Sequence, residues 1–105
     1  MLAPPNLEAD RCPTHPGAFL REVVLPAMPM PKTDLARALG MSRQSLYELL
    51  AERKPVTAAT ALRLGAVFDT SPAAWLNMQS AYDLWHAARE LDSAGTDAVD
   101  YKIAS

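Results

Sequence analysis

The stretch of residues 32–51 constrains the fold of this chain more than any other part of the sequence. It predicts two short helices, over residues 33–39 and after a cap at Ser42, with small residues at Ala36 and Gly40. Two helices pack closely around a tight turn when the first offers a small side chain and the turn residue accepts a positive φ angle. The spacing therefore predicts a helix-turn-helix with a shared core of Leu35, Leu39, Leu46 and Leu49.

The flanking sequence predicts three further helices and thus an all-α fold with five helices. A first helix is expected from Pro16 to about Pro26, because proline suits the first turn of a helix but interrupts its interior. Thr57 would cap a fourth helix, and Ser71, followed by proline, starts a fifth that runs to about Leu91. The apolar residues predicted to face inward are Phe19, Leu20, Val23 and Val24 in the first helix and Ala61, Leu62, Leu64, Gly65 and Phe68 in the fourth.

The chain divides into a central domain and two ends. Residues 1–12 contain prolines without helical period and predict a flexible arm. Residues 13–91 form the helix-turn-helix domain with its last helix, and residues 92–105 form a short C-terminal tail. Apolar residues of the tail alternate with charged ones in the period of a strand, at Val99, Tyr101 and Ile103. A lone strand is not stable, so this one needs a partner or remains disordered.

Composition excludes several classes of protein. With 105 residues, 50% of them hydrophobic and 21% charged, the chain matches one soluble globular domain. Its apolar runs are far shorter than the ~20 residues of a membrane helix, and its first residues carry no secretory signal. A single cysteine, Cys12, cannot form an internal disulfide, as is usual for cytosolic proteins. These features predict a cytoplasmic protein that does not enter a membrane.

Positive charge is concentrated in the middle of the chain, although the net charge is −2. Residues 32–63 hold six lysines and arginines against three acidic residues, which leaves a net charge of +3. The segments before and after, residues 1–31 and 64–105, carry −1 and −4. Because a phosphate backbone responds to local charge, this distribution is compatible with a nucleic-acid partner at the motif.

The exposed side of the predicted third helix carries side chains that suit a DNA major groove. Arg43 can pair with guanine and Gln44 with adenine, while Tyr47 offers a phosphate hydrogen bond or a contact with a thymine methyl group. These three residues are predicted to read bases. Phosphate contacts are predicted at the edges of the motif, from Lys32, Ser42, Arg53 and Lys54. One recognition helix reads only a few base pairs, so a two-fold dimer on a palindrome is expected.

Catalytic and metal-binding interpretations find less support. Cys12 and His15 have a metal-like spacing, but a structural zinc site needs four ligands, and His86 is the only other imidazole. Ser42 and Ser45 have no histidine nearby in the sequence, and no glycine-rich phosphate loop occurs. We therefore expect no enzyme activity, no metal and no cofactor.

Several short motifs spread over residues 15–91 are distinctive in combination. They are His15-Pro16-Gly17, Leu20-Arg21-Glu22, Leu35-Ala36-Arg37-Ala38-Leu39-Gly40, Ala61-Leu62-Arg63-Leu64, and Trp75-Leu76-Asn77-Met78-Gln79 with Tyr82-Asp83-Leu84-Trp85. With these motifs the chain resembles the HigA-type antitoxins, which belong to the phage-repressor-like (XRE) helix-turn-helix class.

The resemblance implies a five-helix dimer with two activities. It would neutralise a RelE-like, ribosome-dependent mRNA-cleaving toxin of the HigB type, and it would repress its own operon at a palindromic operator. By position, the resemblance assigns base reading to Arg43, Gln44 and Tyr47. It assigns a structural and dimer-facing role to Trp75, Gln79 and Tyr82. The aromatic content of the last helix exceeds what one small core requires, which also indicates a dimer contact there.

The sequence departs from the family pattern before the motif. Ala18 replaces an often acidic residue, and Pro29 and Pro31 replace the usual glycine and serine, which affects the first loop and leaves the motif intact. Two other functions stay open: a free-standing helix-turn-helix regulator without a toxin, and a protein-interaction module. A toxin-like reading frame beside the gene would separate the first two, and salt-dependent promoter binding would separate both from the third.

Overall fold

Five helices make up the described part of the chain, which comprises residues 11–93 of a computed structural model. They are α1 (three consecutive helical segments, Pro16–Phe19, Leu20–Val24 and Leu25–Ala27), α2 (Lys32–Ala38), α3 (Arg43–Leu50), α4 (Ala58–Phe68) and α5 (Pro72–Ser93). The predicted all-α, five-helix fold is confirmed. Most of the predicted arm and the predicted strand at residues 99–103 lie outside the described residues.

Side chains cap the starts of four helices. Ser42, Thr57 and Ser71 each accept a hydrogen bond from the amide three residues further on, at 3.0, 3.3 and 3.3 Å. His15 Nδ1 caps α1 by accepting from the Gly17 amide at 2.8 Å. Each cap satisfies an amide that has no partner within its own helix. The caps predicted at Ser42, Thr57 and Ser71 are confirmed, and the histidine cap adds a fourth.

The middle of α1 is a π-helical turn, Leu20–Val24, which changes the face that the helix buries. The Leu25 amide donates to Leu20 O, five residues back, so one residue more than usual fits into the turn. Val23 is consequently rotated outward and is 52% exposed, whereas Leu25 is buried. The prediction that Val23 faces the core is wrong for this reason. The helix ends at Ala27, one residue beyond Pro26, close to the predicted end.

The core is one cluster of buried side chains to which all five helices contribute. The four leucines predicted from the motif are all buried. Gly40 has φ +67°, as its position in the turn requires, and the Arg63 guanidinium lies over it. Leu62 is 63% exposed, so its predicted inward position is wrong. The buried face of α4 follows a strict helical spacing that leaves Leu62 on the opposite side: Ala61, Leu64, Gly65 and Phe68.

The longest helix, α5, has 22 residues and packs chiefly against α4, with a second contact on α1. Trp75, near its start, is 1% exposed and donates from Nε1 to Thr70 Oγ1 at 2.8 Å. Within residues 11–93 neither this helix nor any other is both long and apolar enough to cross a membrane.

The first turn of α1 lies directly against the end of α3. A methyl group on Gly17 would overlap the carbonyl oxygen of Leu49, so the two backbones touch without a side chain between them. Gly17 is itself buried. This close approach places the start of α1 against the last turn of α3.

A cluster of rings covers the same turn of α1. His15 is 3% exposed and packs edge-on against Tyr82 of α5, with ring centroids 4.7 Å apart. Tyr82 in turn packs against His86 at 4.4 Å. Burial lowers the pKa of His15 below its ordinary value of 6.5, and the carboxylates of Glu52 and Asp83 oppose part of this effect.

We expect Gly17→Ala to destabilise the fold by about 1–3 kcal/mol, because the added methyl group forces α1 away from α3. Urea unfolding would measure the change. The control is Glu90→Gln, at an exposed position of α5, which should change stability by less than about 0.5 kcal/mol. A more stable Gly17→Ala protein would show that helix propensity outweighs the contact and that the two backbones are not in touch.

We expect the chain to lose stability as the pH falls from about 7.5 to about 5.5, in part because of His15. A histidine whose pKa is lowered in the folded chain takes up its proton more readily when unfolded. Its contribution is therefore complete above about pH 6.5 and is lost as the pH falls through the lowered folded-state value.

Thermal unfolding of His15→Asn measures this contribution, because asparagine still caps a helix but does not titrate. The fall in Tm between the two pH values should be smaller in this variant than in the wild type. Ala87→Gln, an uncharged substitution at an exposed position of α5, is the control and should keep the wild-type fall. If Tm falls as much in His15→Asn as in the wild type, groups other than His15 are responsible for the loss of stability at low pH.

Candidate nucleic-acid interface

The exposed face of α3 forms one side of an open groove. The groove is lined by Arg43, Gln44, Tyr47, Glu48, Ala51 and Arg53. Five of these residues follow the spacing i, i+1, i+4, i+5 and i+8, which is one face of a helix. The opposite face of α3 is anchored in the core by Leu46, Leu49 and Leu50. The buried face thus fixes the direction in which the exposed face points.

The three residues predicted to read bases lie together in this groove. Arg43 and Gln44 form the first turn of α3, and Tyr47 follows one turn later. All three residues are exposed, and Tyr47 is 51% exposed. A half-exposed tyrosine presents both an apolar ring and a hydroxyl group to a ligand. The groove therefore combines a guanidinium, an amide and an aromatic ring within reach of one ligand.

The four predicted phosphate contacts are more widely distributed. Arg53 lines the groove and is exposed, and Lys32 is exposed at the first position of α2. Ser42 is the N-cap of α3, so its hydroxyl oxygen is already engaged with a backbone amide. Lys54 Nζ donates to Ser45 Oγ at 3.2 Å, which holds the ammonium group beside the first turns of α3. The structure brings Arg53 to the residues that are predicted to read bases and places the other three around the motif.

Glu48 also lines the groove, although the sequence analysis did not include it among the site residues. Taken alone, it looks like a charge on a solvated helix face. The signal that could have identified it is its spacing, since it follows Gln44 by four residues and therefore shares its face. It is the one acidic residue among the six that line the groove.

The end of α3 is held by a contact with α1. Arg21 Nη1 donates to Leu50 O at 2.6 Å, and Nη2 lies 3.4 Å from a carboxylate oxygen of Glu52. Glu52 adopts a left-handed conformation with φ +66°, which ends the helix. A hydrogen bond to Glu22, which pairs with the same guanidinium, raises the pKa of Arg21. A cation at the carboxyl end of a helix also suits the direction of the helix dipole.

Two of the three residues predicted to face a second copy lie inside a single chain. Trp75 is 1% exposed, and Gln79 is 6% exposed. Gln79 Oε1 accepts from the Val56 amide at 2.8 Å, while Nε2 donates to Asp83 Oδ1 at 3.0 Å. These side chains serve the core of one chain because their surfaces are already covered. A contact with a second copy would have to use other residues of α5.

Tyr82, the third residue of that set, is half-buried between two imidazoles. His86 Nε2 also lies 3.5 Å from Cys12 Sγ. Burial raises the pKa of the Cys12 thiol and of the Tyr82 phenol. Across residues 11–93, no group of three His, Cys, Asp or Glu side chains converges on a position that could hold a metal ion.

Comparison with known proteins identifies relatives of similar length. No profile of a known protein family matches the chain. It is 43% identical over 79 residues to Virulence-associated protein I of Dichelobacter nodosus, which covers 75% of this chain and 73% of the relative. It is 35% identical over 78 residues to Antitoxin HigA-1 of Vibrio cholerae, which covers 74% of this chain and 73% of the relative.

Solved structures are similar to the chain in both sequence and fold. Antitoxin GraA in complex with its operator is 40% identical, with a TM-score of 0.72 over 82% of this chain and 87% of that one. Pseudomonas aeruginosa antitoxin HigA with the higBA promoter is 36% identical, with a TM-score of 0.72 over 78% of this chain and 89% of that one. Both of these solved structures are of antitoxins. By sequence and by fold, the chain belongs to the HigA-type antitoxins of the helix-turn-helix class.

Proposed function

We propose that this antitoxin, as a homodimer in the cytoplasm, binds a palindromic operator of its own operon and neutralises a RelE-like, HigB-type mRNA-cleaving toxin. The observation that carries the DNA-binding part is the groove on α3, where Arg43, Gln44, Tyr47 and Arg53 converge. The two related antitoxins described above were solved with an operator and with a promoter. A free-standing regulator without a toxin is the alternative.

Base reading by the groove follows from the hydrogen-bonding groups it presents. Arg43 presents paired donors that match guanine O6 and N7, and Gln44 presents a donor and an acceptor that match adenine N6 and N7. Both lie in the first turn of α3, the part of a recognition helix that enters the major groove. Tyr47, one turn later, brings an apolar ring that suits a thymine methyl group.

Cations around the motif would hold the chain on the DNA backbone. Lys32 and Arg53 are exposed, on the first turn of α2 and in the groove. Lys54 donates one of its three N–H groups to Ser45, and the other two could bind a phosphate. Ser42 lies at the start of α3, where free backbone amides could also donate to a DNA phosphate. These contacts set the position and orientation of the helix without reading sequence.

The exposed side of α5 supports the proposed dimer. Residues 72–82 contain no charged side chain, and Asn77 and Ser80 are exposed on this stretch. Leu84 follows at helical spacing and is 48% exposed. A weakly polar helical face of this kind suits contact with a second copy of itself. The dimer would then present two copies of α3 to the two halves of a palindrome.

A gel-shift titration tests the proposed function. The probe is the DNA upstream of the gene, compared with a scrambled duplex at two salt concentrations, with and without the product of the neighbouring gene. Preference for the upstream DNA, weaker at high salt and altered by the neighbour, is the expected result. Binding that the neighbour does not alter supports the free-standing regulator. Tight capture of the neighbour without any DNA preference overturns the operator part.

We expect Arg43→Ala and Lys54→Ala to weaken DNA binding in different ways. The first should cost about 1–3 kcal/mol and relax the preference at one base pair. The second should weaken binding to all sequences alike and reduce the salt slope by about one. Arg89→Ala, on α5, is the control and should change neither quantity. Equal losses on operator and scrambled DNA from both variants would make Arg43 a phosphate contact only.

We expect Leu84→Asp to convert the dimer into a monomer, because each copy would place a carboxylate in a weakly polar interface. Light scattering coupled to size exclusion would measure the mass. Leu62→Asp is the matched control, since Leu62 is also an exposed leucine, on α4. If Leu62→Asp dissociates the dimer and Leu84→Asp does not, the interface lies on α4 and not on α5.

A further inference from the structure

Glu48 places a negative charge in a surface whose other charged groups are positive. It shares the groove with Arg43 and Arg53, and its side chain is half-buried. It follows Gln44 by one helical turn, so it points to the same side of α3. A carboxylate in this place would approach the negatively charged DNA together with the base-reading side chains. Electrostatic repulsion alone would therefore make Glu48 unfavourable for binding.

Within residues 11–93, no ion pair and no side-chain hydrogen bond engages the Glu48 carboxylate. The ion pairs observed within residues 11–93 join Arg21 to Glu22, Arg21 to Glu52 and Arg37 to Asp34. In the same part of the chain, no side-chain hydrogen bond to Glu48 is observed, while its backbone oxygen accepts from the Arg53 amide at 2.9 Å. The carboxylate oxygens are thus available as acceptors on the groove.

Only bases that present a hydrogen-bond donor in the major groove could pair with the Glu48 carboxylate. Guanine presents two acceptors, and thymine presents an acceptor and a methyl group. Adenine has an amino group, but the adjacent N7 acceptor would repel a carboxylate. Cytosine presents its N4 amino group without an adjacent acceptor on the same edge. Cytosine is therefore the base that best compensates the charge of Glu48.

We propose that Glu48 is a specificity-determining residue that accepts a hydrogen bond from the N4 amino group of one cytosine in each half-site. This assignment rests on the proposed DNA-binding function. Glu48 lowers affinity for DNA in general through repulsion and recovers it only where cytosine supplies a donor. Discrimination by Glu48 thus depends on the penalty against other bases as well as on the contact with cytosine.

Selection from a library of randomised DNA duplexes tests the assignment with the full chain. The wild type, Glu48→Gln and Glu48→Ala are compared, and Glu90→Gln on the exposed side of α5 is the control. We expect the wild type to prefer cytosine at one position of each half-site by about tenfold. Glu48→Gln should replace that preference with adenine, because an amide pairs with adenine N6 and N7.

The second variant separates contact from repulsion. Glu48→Ala should lose the preference at that position and bind scrambled DNA several-fold more tightly than the wild type. A role of Glu48 in the fold alone would lower binding to all sequences and would leave the base preferences in place. Thermal unfolding of both variants checks that each one is folded.

The outcomes distinguish this inference from the proposed function. A wild type that selects no sequence overturns DNA recognition altogether and this inference with it. A wild type that selects a defined sequence, together with variants that keep the same base preference at every position, overturns the role of Glu48 alone. A shift of preference confined to one position in Glu48→Gln, with Glu90→Gln unchanged, establishes it.

Discussion

The placement of the groove depends on the direct contact between the backbones of α1 and α3. At Gly17 there is no side chain, and the first turn of α1 rests on the carbonyl of Leu49. Four residues later, Arg21 reaches the next carbonyl, that of Leu50. Both contacts involve the last turn of α3, so the end of this helix is held while its start remains exposed. The orientation of the groove thus originates in a segment that does not line it.

Polar side chains connect the remaining helices to this arrangement. Gln79 joins α5 to the backbone at Val56, the residue that precedes the cap of α4. Trp75 reaches Thr70 in the turn between the same two helices. Every buried side-chain nitrogen and oxygen in residues 11–93 has a hydrogen-bond partner. Because an unpaired polar group in the interior is costly, these bonds define one arrangement of α4 and α5.

Local signals made the helix-turn-helix predictable. Gly40, the caps and the leucine spacing are all determined by neighbours within a few residues. The π-helical turn was not predictable, since the spacing of Phe19, Leu20, Val23 and Val24 also suits an ordinary helix. The exposure of Val23 followed from that turn. The burial of Trp75 was not predictable because aromatic spacing is the same for a core and for an interface. The Arg21–Leu50 bond spans 29 residues and has no signature in the sequence.

The first turn of α1 also links α3 to α5, because α1 packs against both helices. In a two-fold dimer joined through α5, the distance between the two reading helices must match one helical turn of DNA, about 34 Å. The orientation of each α3 relative to the dimer contact on α5 would then depend on this turn. A small rotation of α1 at this turn would change the distance between the two copies of α3, so that it no longer matches one helical turn of the operator. In the proposed dimer, the packing at Gly17 and His15 would therefore affect the distance between the two copies of α3.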